Sequence, residues 1–312
     1  MSVVIVNWNG ADVLGTCIES LLGQETDRPL RIVVLDNAST DDSLQVLARF
    51  SPTVEIIRST ENLGFGRGNN AAFRQVSSEF VIFLNPDTKL VAPDAIDRML
   101  APLADPRIGA VGPRLLNADG SIQQSCSAVP TLAGTAAAVV GLPRLLSDDL
   151  RRRWTPVLWS HDRSSFTGWV GGACIAIRSV DYRRVGGFSE RTFMYGEDLE
   201  LGYRIRVLGM RVFYETGAEV VHYQDHSSRQ RWSDAETAKL TAAGELEFLR
   251  QRYARPKAEL ARWVLWLGYA VRAVALRRLG RRLRAEVYEA MAQALRETRY
   301  DRHSVGAQRS SL

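Results

Sequence analysis

The sequence predicts an α/β protein built on a doubly wound, mostly parallel sheet, and three observations predict it. Short apolar runs alternate with stretches of helical period through the first hundred or so residues, the rhythm of strand–helix–strand units. One run, Phe80-Val81-Ile82-Phe83-Leu84, is apolar at every position, as a strand covered on both faces must be. Polar clusters follow four of the apolar runs, at the strand ends where such sheets bind ligands.

Residues 3–6 form the first strand, followed by the polar turn Asn7-Trp8-Asn9-Gly10. Val13, Leu14, Cys17, Ile18, Leu21 and Leu22 then recur at helical spacing. Residues 31–35 are the second strand. Ser39 and Asp42 are read as a capping box for a helix through Leu44, Leu47 and Phe50. Residues 54–57 make a third strand, and a helix over 66–76 turns Ala72, Phe73 and Val76 inward before the strand at 80–84. After residue 107 the rhythm changes. Segments 108–116 and 121–126 flank Asn117-Ala118-Asp119-Gly120, a hairpin turn. Residues 127–165 are poorly patterned and read as an insertion. Strands return at 169–178 and 211–214, with Leu201, Ile205 and Leu208 marking a helix over 198–208. From Ala235 onward the chain reads as helical, and no internal repeat occurs.

Hydrophobic residues at 46% and charged residues at 24% exclude wholesale disorder. Cys17, Cys126 and Cys174 lie far apart without a Cys-x-x-Cys pair, which argues against a cysteine zinc site or a disulfide scaffold and fits a reducing compartment. The chain opens directly on strand-like residues, with no basic segment leading a long apolar core, so a cytoplasmic protein is expected. A Gly-x-Gly-x-x-Gly fingerprint would stand between the first strand and first helix, where only Gly10 occurs. A dinucleotide oxidoreductase is therefore disfavoured. The chain also lacks a Gly-x-x-x-x-Gly-Lys-Ser/Thr loop, His-Glu-x-x-His and Gly-x-Ser-x-Gly, which disfavours the NTPase and hydrolase classes they mark.

Five motifs occur in order: Val3-Val4-Ile5-Val6-Asn7-Trp8-Asn9, Asp36-Asn37-Ala38-Ser39-Thr40-Asp41, Asn62-Leu63-Gly64-Phe65-Gly66-Arg67-Gly68-Asn69-Asn70, Asn85-Pro86-Asp87 and Gly196-Glu197-Asp198. Together they resemble the family 2 glycosyltransferases of the GT-A fold, and within them the bacterial rhamnosyltransferases, over roughly residues 1–230. The resemblance implies a GT-A domain at 1–232; by patterning and charge, residues 233–302 are read as a basic helical extension and 303–312 as a disordered tail. The resemblance further implies an inverting transfer of L-rhamnose from dTDP-L-rhamnose to a lipid-linked or polysaccharide acceptor in cell-envelope glycan synthesis, assisted by Mg2+ or Mn2+.

By the same resemblance, Asp87 matches the last position of an Asp-x-Asp metal motif whose first position is here Asn85, and His222 matches a histidine that completes the metal site in some members. Asp198 takes the place of the general base, beside Glu197. Asp36 contacts the nucleotide's base or ribose, with Asn7 and Asn9 nearby. Val6, Asn62, Gly64, Arg67, Asn70 and Asn85 complete the nucleotide-sugar site, with Arg67 facing the diphosphate. Trp169, Gly171, Gly172 and Glu197 line the sugar and acceptor. Each position keeps a plainer alternative: acids that complement a helix N-terminus, a structural histidine, a solvated arginine, a glycine that permits a bend. Asn85 in place of an acid keeps open a catalytically inactive nucleotide-binding or membrane-scaffolding protein of the same fold.

Charge is divided unevenly along the chain. Residues 1–249 carry 25 Lys and Arg against 30 Asp and Glu, a net −5, whereas residues 250–302 carry 14 against 5, a net +9. Within 262–284, Trp263, Trp266 and other apolar residues are read as one helix face, with Arg277, Arg278, Arg281, Arg282 and Arg284 on the other. The apolar run from Trp263 to Val271 is nine residues, short of the ~20 a membrane span needs. The segment is expected to lie on an anionic membrane surface, peripheral on the inner face of the cell membrane. A helix packed on the body is the alternative, and nucleic-acid binding is a weaker one, since no recognition motif accompanies the charge.

Overall fold

Four parallel strands, β1 (Ser2–Asn7), β2 (Arg31–Asp36), β3 (Val54–Arg58) and β4 (Phe80–Leu84), stand side by side in the order β3-β2-β1-β4. The computed structural model describes residues 1–139, 145, 147–154, 159–191, 194–223 and 233–297. It divides into two units, Met1–Trp232 and Ser233–Leu312. The further strands of the first unit are β5 (Thr88–Leu90), β6 (Ile108–Leu116), β7 (Ile122–Gln123), β8 (Cys126–Ser127), β9 (Ser165–Thr167), β10 (Trp169–Val170), β11 (Cys174–Arg178) and β12 (Arg211–His222). The main sheet continues from β4 through β11, β6 and β12 to β5. β11 runs antiparallel to both its neighbours, while β6 and β12 pair in parallel. The sheet is therefore mixed, with its parallel half first in sequence.

Helices α1 (Ala11–Leu22), α2 (Ser43–Ala48), α3 (Phe65–Phe73), α4 (Ala95–Leu100), α7 (Ser179–Arg184) and α8 (Glu197–Val207) cover the two faces, and α5 (Leu132–Val139) and α6 (Asp148–Trp154) lie in the segment between β8 and β9. Two apolar layers result. Val3, Ile5 and Ile82 pack with Leu14, Ile18 and Leu47, while Val4, Phe83 and Ile177 pack with Phe73, Tyr182 and Ile205. Alternate residues of β1 thus serve opposite layers, as the two-residue period of a strand requires. Every side chain of β4 is buried, and each such burial contributes roughly 1.5–3 kcal/mol. Cys17, Cys126 and Cys174 are buried cysteines. Desolvation pushes the Cys17 thiol up to about 12 and raises that of Cys174 as well.

Several elements differ from the sequence-based expectation. Ser39 does not cap α2. Its hydroxyl accepts from Asn9 N at 3.0 Å and Asn7 Nδ2 at 3.2 Å, tying the β2 turn to the β1 turn, and α2 starts from Asp42 without a side-chain cap. The segment expected as one strand over 169–178 is split, because the Gly171-Gly172 pair turns the chain between β10 and β11. β10 pairs instead with β8 in a separate two-stranded sheet. The strand expected over 211–214 runs on to His222, with a register shift between Glu215 and Glu219. β5, α4 and α7 were not foreseen.

Among the described residues the second unit holds three helices, α9 (Asp234–Arg252), α10 (Arg255–Arg278) and α11 (Arg282–Glu297). Ser233 and Glu236 close a capping box on α9. The core is built of small residues, with Ala242, Ala258, Ala261 and Ala285 fully buried beside Leu246, Leu249 and Leu295, which lets the backbones approach closely. The expected helix through 262–284 is two helices. Gly280, at φ +72°, ends α10, so Arg281, Arg282 and Arg284 belong to the turn and to α11. The Arg272 guanidinium lies over the Tyr288 ring, 5.8 Å from its centroid. The tail expected at 303–312 lies outside the described residues.

Gly66 marks the tightest packing of α3. A Cβ there would stand 2.2 Å from the backbone oxygen of Ser189, which has no rotamer to yield. Gly66→Ala is expected to destabilise the first unit by about 1–3 kcal/mol or more, read as a fall of several degrees in Tm. An unchanged Tm would show that the 189 loop is free to move away.

Candidate active site

The polar strand ends meet in one cavity of about 310 Å³, lined by residues of the first unit alone. At one side β1 and β2 end next to each other, with Asn7 opposite Asp36. Asp36 is buried, and its carboxylate accepts from Asn7 Nδ2 at 3.4 Å and Ser39 N at 3.3 Å. The next residue, Asn37, lines the cavity. Its Oδ1 accepts from Leu63 N at 2.8 Å while its Nδ2 donates to Asn62 Oδ1 at 3.0 Å, and Asn62 in turn accepts from Gly64 N at 2.9 Å. Gly64 holds φ +77°, a conformation open to glycine, and from there the chain enters α3. These bonds make a rigid polar wall beside Val6.

Across the cavity, Asp87 and His222 stand together. The antiparallel pairing of β12 with β5 places His222 opposite Thr88, and His222 Nε2 lies 3.3 Å from Asp87 Oδ1. The proton on the ring can be placed. Gln123 donates through Nε2 to Asn117 Oδ1 at 3.1 Å, so its Oε1 faces His222 Nδ1 at 2.8 Å and accepts from it. Nε2, the nitrogen that carries the lone pair in the neutral ring, faces Asp87 and Asn85 Nδ2 at 3.5 Å. A carbonyl partner that fixes the tautomer from behind is what a ligating histidine ordinarily has. Among the described residues no third His, Cys, Asp or Glu joins the pair. Two protein ligands facing a cavity suit a hard cation that takes its remaining oxygens from a diphosphate and water.

The third feature is Asp198, in the first turn of α8. Tyr195 at φ +71° and Gly196 at φ +101° bend the chain into the helix, and a left-handed tyrosine is strain stored at the site. Asp198 Oδ2 accepts from Gly172 N at 3.0 Å and Oδ1 from Leu199 N at 2.7 Å. Each oxygen keeps a lone pair for a further donor. Desolvation raises the carboxyl above its ordinary value, and the backbone donors offset part of that rise. Glu197 beside it is buried.

Of the residues expected from sequence, Val6, Asn62, Gly64, Asn85, Asp87, Trp169, Gly171, Gly172, Glu197, Asp198 and His222 all line the cavity. Asn7, Asn9 and Asp36 frame it from behind, through the turn network, instead of lining it. Arg67 is exposed on α3, outside the lining. Asn70 also lies outside, where it accepts from Tyr182 OH at 2.6 Å and Phe188 N at 3.0 Å and braces α3 against the 188 loop. Sequence reading missed Asn37, although strand alternation would set it apart from Asp36. It also missed the Gln123-Gln124-Ser125 segment, which carries no motif and is brought to the site by the pairing of β6 with β7 and by the Gly171 N–H donated to the Ser125 carbonyl.

The family model described as Glycosyl transferase family 2 matches residues 2–125. Over 247 residues the chain is 33% identical to the N-acetylglucosaminyl-diphospho-decaprenol L-rhamnosyltransferase of Mycobacterium tuberculosis, covering 73% of this chain and 77% of that protein. It is 24% identical over 240 residues to the rhamnosyltransferase WbbL of Escherichia coli, covering 75% of this chain and 87% of that one. Among solved structures, the mannosyltransferase PcManGT of Pyrobaculum calidifontis, in complex with GDP-Man and Mn2+, has the same fold with a TM-score of 0.58. Its identity is 19%, over 94% of this chain and 84% of that one.

Desolvation of the Asp198 carboxyl gives a testable titration. Its folded pKa is raised, so its ionisation disfavours folding: stability is greatest below the unfolded value of ~3.9 and declines as pH rises through the folded one. The 13C carboxyl shift of Asp198 is expected to titrate above ~3.9. A midpoint at or below that value would mean the backbone donors outweigh desolvation.

Proposed function

The chain belongs to glycosyl transferase family 2 and has the GT-A fold, and from that premise we propose an inverting transfer of L-rhamnose from dTDP-L-rhamnose to a lipid-linked acceptor in cell-envelope glycan synthesis. The observation that carries the proposal is the arrangement of one cavity. A partly buried carboxylate, Asp198, shares it with the Asp87–His222 pair and with the amide wall of Asn37 and Asn62. The similarity to two rhamnosyltransferases supports the sugar, and the acceptor named for the Mycobacterium tuberculosis protein supports a lipid diphosphate.

In this reading the amide wall orients the nucleotide, and Asp87 with His222 Nε2 would hold Mg2+ or Mn2+. The cation, when bound, supplies charge neutralisation for the departing diphosphate. Gln123 keeps the His222 proton on Nδ1, and Asn85 offers Nδ2 toward the other nitrogen. Asp198 takes the proton of the acceptor hydroxyl as its oxygen bonds to the anomeric carbon. The bond from that carbon to the diphosphate oxygen breaks on the opposite face, which inverts the centre. Gly172 and Leu199 hold the carboxylate in place by two N–H donors, so the base enters the reaction already oriented.

The second unit supports a place at a membrane surface. Leu260, Trp263, Leu267, Val271 and Val274 recur three and four apart on α10, and each is at least half exposed. Leu279 and Leu283 extend the stripe past the turn at Gly280, where Arg277, Arg278, Arg281, Arg282 and Arg284 are all exposed. An apolar stripe ending in clustered arginines is complementary to an anionic lipid surface. Among the described residues no helix is long and apolar enough to cross a membrane.

Two variants separate binding from chemistry. Asp87→Ala is expected to abolish the Mn2+-dependent part of dTDP binding in calorimetry, and unchanged affinity would remove Asp87 from the metal site. Asp198→Asn is expected to keep dTDP affinity while turnover falls ~10²–10⁴-fold, the usual contribution of a general base; turnover within a few-fold of the parent would place the base elsewhere.

The arginine cluster is tested by vesicle co-sedimentation. Replacing Arg277, Arg278, Arg281 and Arg282 by Gln should release the protein from anionic vesicles. Equal sedimentation of the parent with neutral and anionic lipid would refute the electrostatic part. Self-association in sedimentation velocity, without lipid binding, would assign the stripe to a second copy of the chain.

A further inference from the structure

A run of polar side chains begins in the exposed turn between β6 and β7 and ends at His222. Leu116 pairs with Ile122 of β7 on one side and with Val221 of β12 on the other. One residue beyond, Asn117 and His222 end their strands next to each other, and Gln123 is hydrogen-bonded to both. Gly120, at φ +80°, folds the turn so that Asn117 N donates to the Ser121 carbonyl at 2.8 Å.

The side-chain hydrogen bonds of this run have a direction. Asp119 Oδ1 accepts from Ser121 N at 2.9 Å and lies 2.6 Å from Ser121 Oγ. Those donors hold the Asp119 carboxyl below the usual carboxylate range, so in ordinary buffers it is ionised and only accepts. The Ser121 hydroxyl therefore donates to Asp119 and offers a lone pair to Asn117 Nδ2 at 2.9 Å. Asn117 Oδ1 is then the acceptor for Gln123 Nε2 at 3.1 Å, which leaves Gln123 Oε1 as the acceptor for His222 Nδ1 at 2.8 Å. An amide can present either end, and a neutral imidazole either nitrogen. Asp119 cannot reverse, and its polarity passes through Ser121, Asn117 and Gln123 to the ring.

Burial rises along the run. Asp119 and Ser121 are exposed, Asn117 is partly buried and Gln123 is buried. Hydrogen bonds strengthen away from water, so the inner two amides carry most of the effect. The backbone oxygen of His222 lies 3.5 Å from Gln123 Nε2, longer than an ordinary bond of this kind, which makes Asn117 the principal acceptor. We propose that the 117–121 turn is a positioning device: Asn117, anchored by Ser121 and Asp119, acts through Gln123 to hold His222 as the Nδ1–H tautomer, with Nε2 unprotonated toward a divalent cation. This deepens the cation site of the transferase reading and rests on it.

The tautomer is read in metal-free protein by long-range 1H–15N correlation of labelled histidine, at a pH well above the ordinary imidazole value of ~6.5. The chain has four histidines, and the signal lost in His222→Gln assigns the ring. The parent is expected to carry the proton on Nδ1. One neutral hydrogen bond is worth ~2–12-fold, so Gln123→Leu and Asn117→Ala should each shift the tautomer ratio toward Nε2–H by that factor. Gln123→Glu, which only accepts, should keep the proton on Nδ1. With dTDP present, Mn2+ affinity by electron paramagnetic resonance is expected to fall ~10–100-fold in the first two variants, the usual cost of losing such a partner, and to stay near the parent's in Gln123→Glu. The proposal is overturned by a parent with its proton on Nε2 or without Mn2+ binding, by a ratio that neither variant moves, or by a shifted ratio with unchanged Mn2+ affinity. Should Gln123→Leu lower Tm by more than a few degrees, Asn117→Ala, nearer the surface, decides. Transfer is measured separately. The expected tautomers and Mn2+ affinities, with no sugar moved from any nucleotide sugar, uphold the positioning device and count against the transferase reading.

Discussion

The site depends on one short hydrogen-bonded link, the Gly172 N–H that meets the Asp198 carboxylate. Gly172 sits where the chain turns from β10 into β11, and β11 is wedged between β4 and β6 in the middle of the sheet. The position of the carboxylate is thereby inherited from the most buried part of the molecule. The link also explains the glycine: a Cβ at 172 would stand 3.0 Å from Phe65 Cζ and 3.7 Å from Asp198 Cβ. Phe65 opens α3, which follows the amide wall, so the two ends of the cavity meet at a single small residue. Preorganisation of this kind removes the need to reorder the base during reaction.

Most of the parallel half of the fold was legible from local signals. The runs of β1, β2 and β4 are apolar because both faces are covered, and the turns after them are polar because they face a cavity. What escaped was set by distant partners. Ser39 has the spacing of a cap, yet its hydroxyl serves Asn7 and Asn9, residues brought near by strand pairing some thirty positions away. Gln123 orients His222 across 99 positions, and nothing in its own neighbourhood marks it. Arg67 and Asn70 show the opposite error. They sit within the right motif, but successive residues of a helix point to different sides, and only Gly64 and Phe65 at its start turn to the cavity.

The basic extension was legible in composition and misread in shape. Arginine and leucine continue at helical spacing across residue 280, so periodicity alone runs through the turn. A glycine after a helix end with basic residues before it is a stop signal, and at Gly280 that signal prevails. The result gathers the arginines at a hairpin instead of along a face. Apolar contact and charge are thus offered by neighbouring parts of one surface, with different dependence on salt.

The three thiols have a practical consequence. Each is sealed in a different part of the first unit, in α1, β8 and β11. Only a thiolate attacks an alkylating reagent, and burial keeps Cys17 and Cys174 protonated across the range of ordinary buffers. With Cys126 buried as well, the native thiols are expected to react slowly with maleimides in the folded protein, so a cysteine introduced on the exposed stripe of α10 is expected to take a fluorophore well ahead of them. Slow tagging of the native three would, in turn, act as a clock for how often each layer of the first unit opens to solvent.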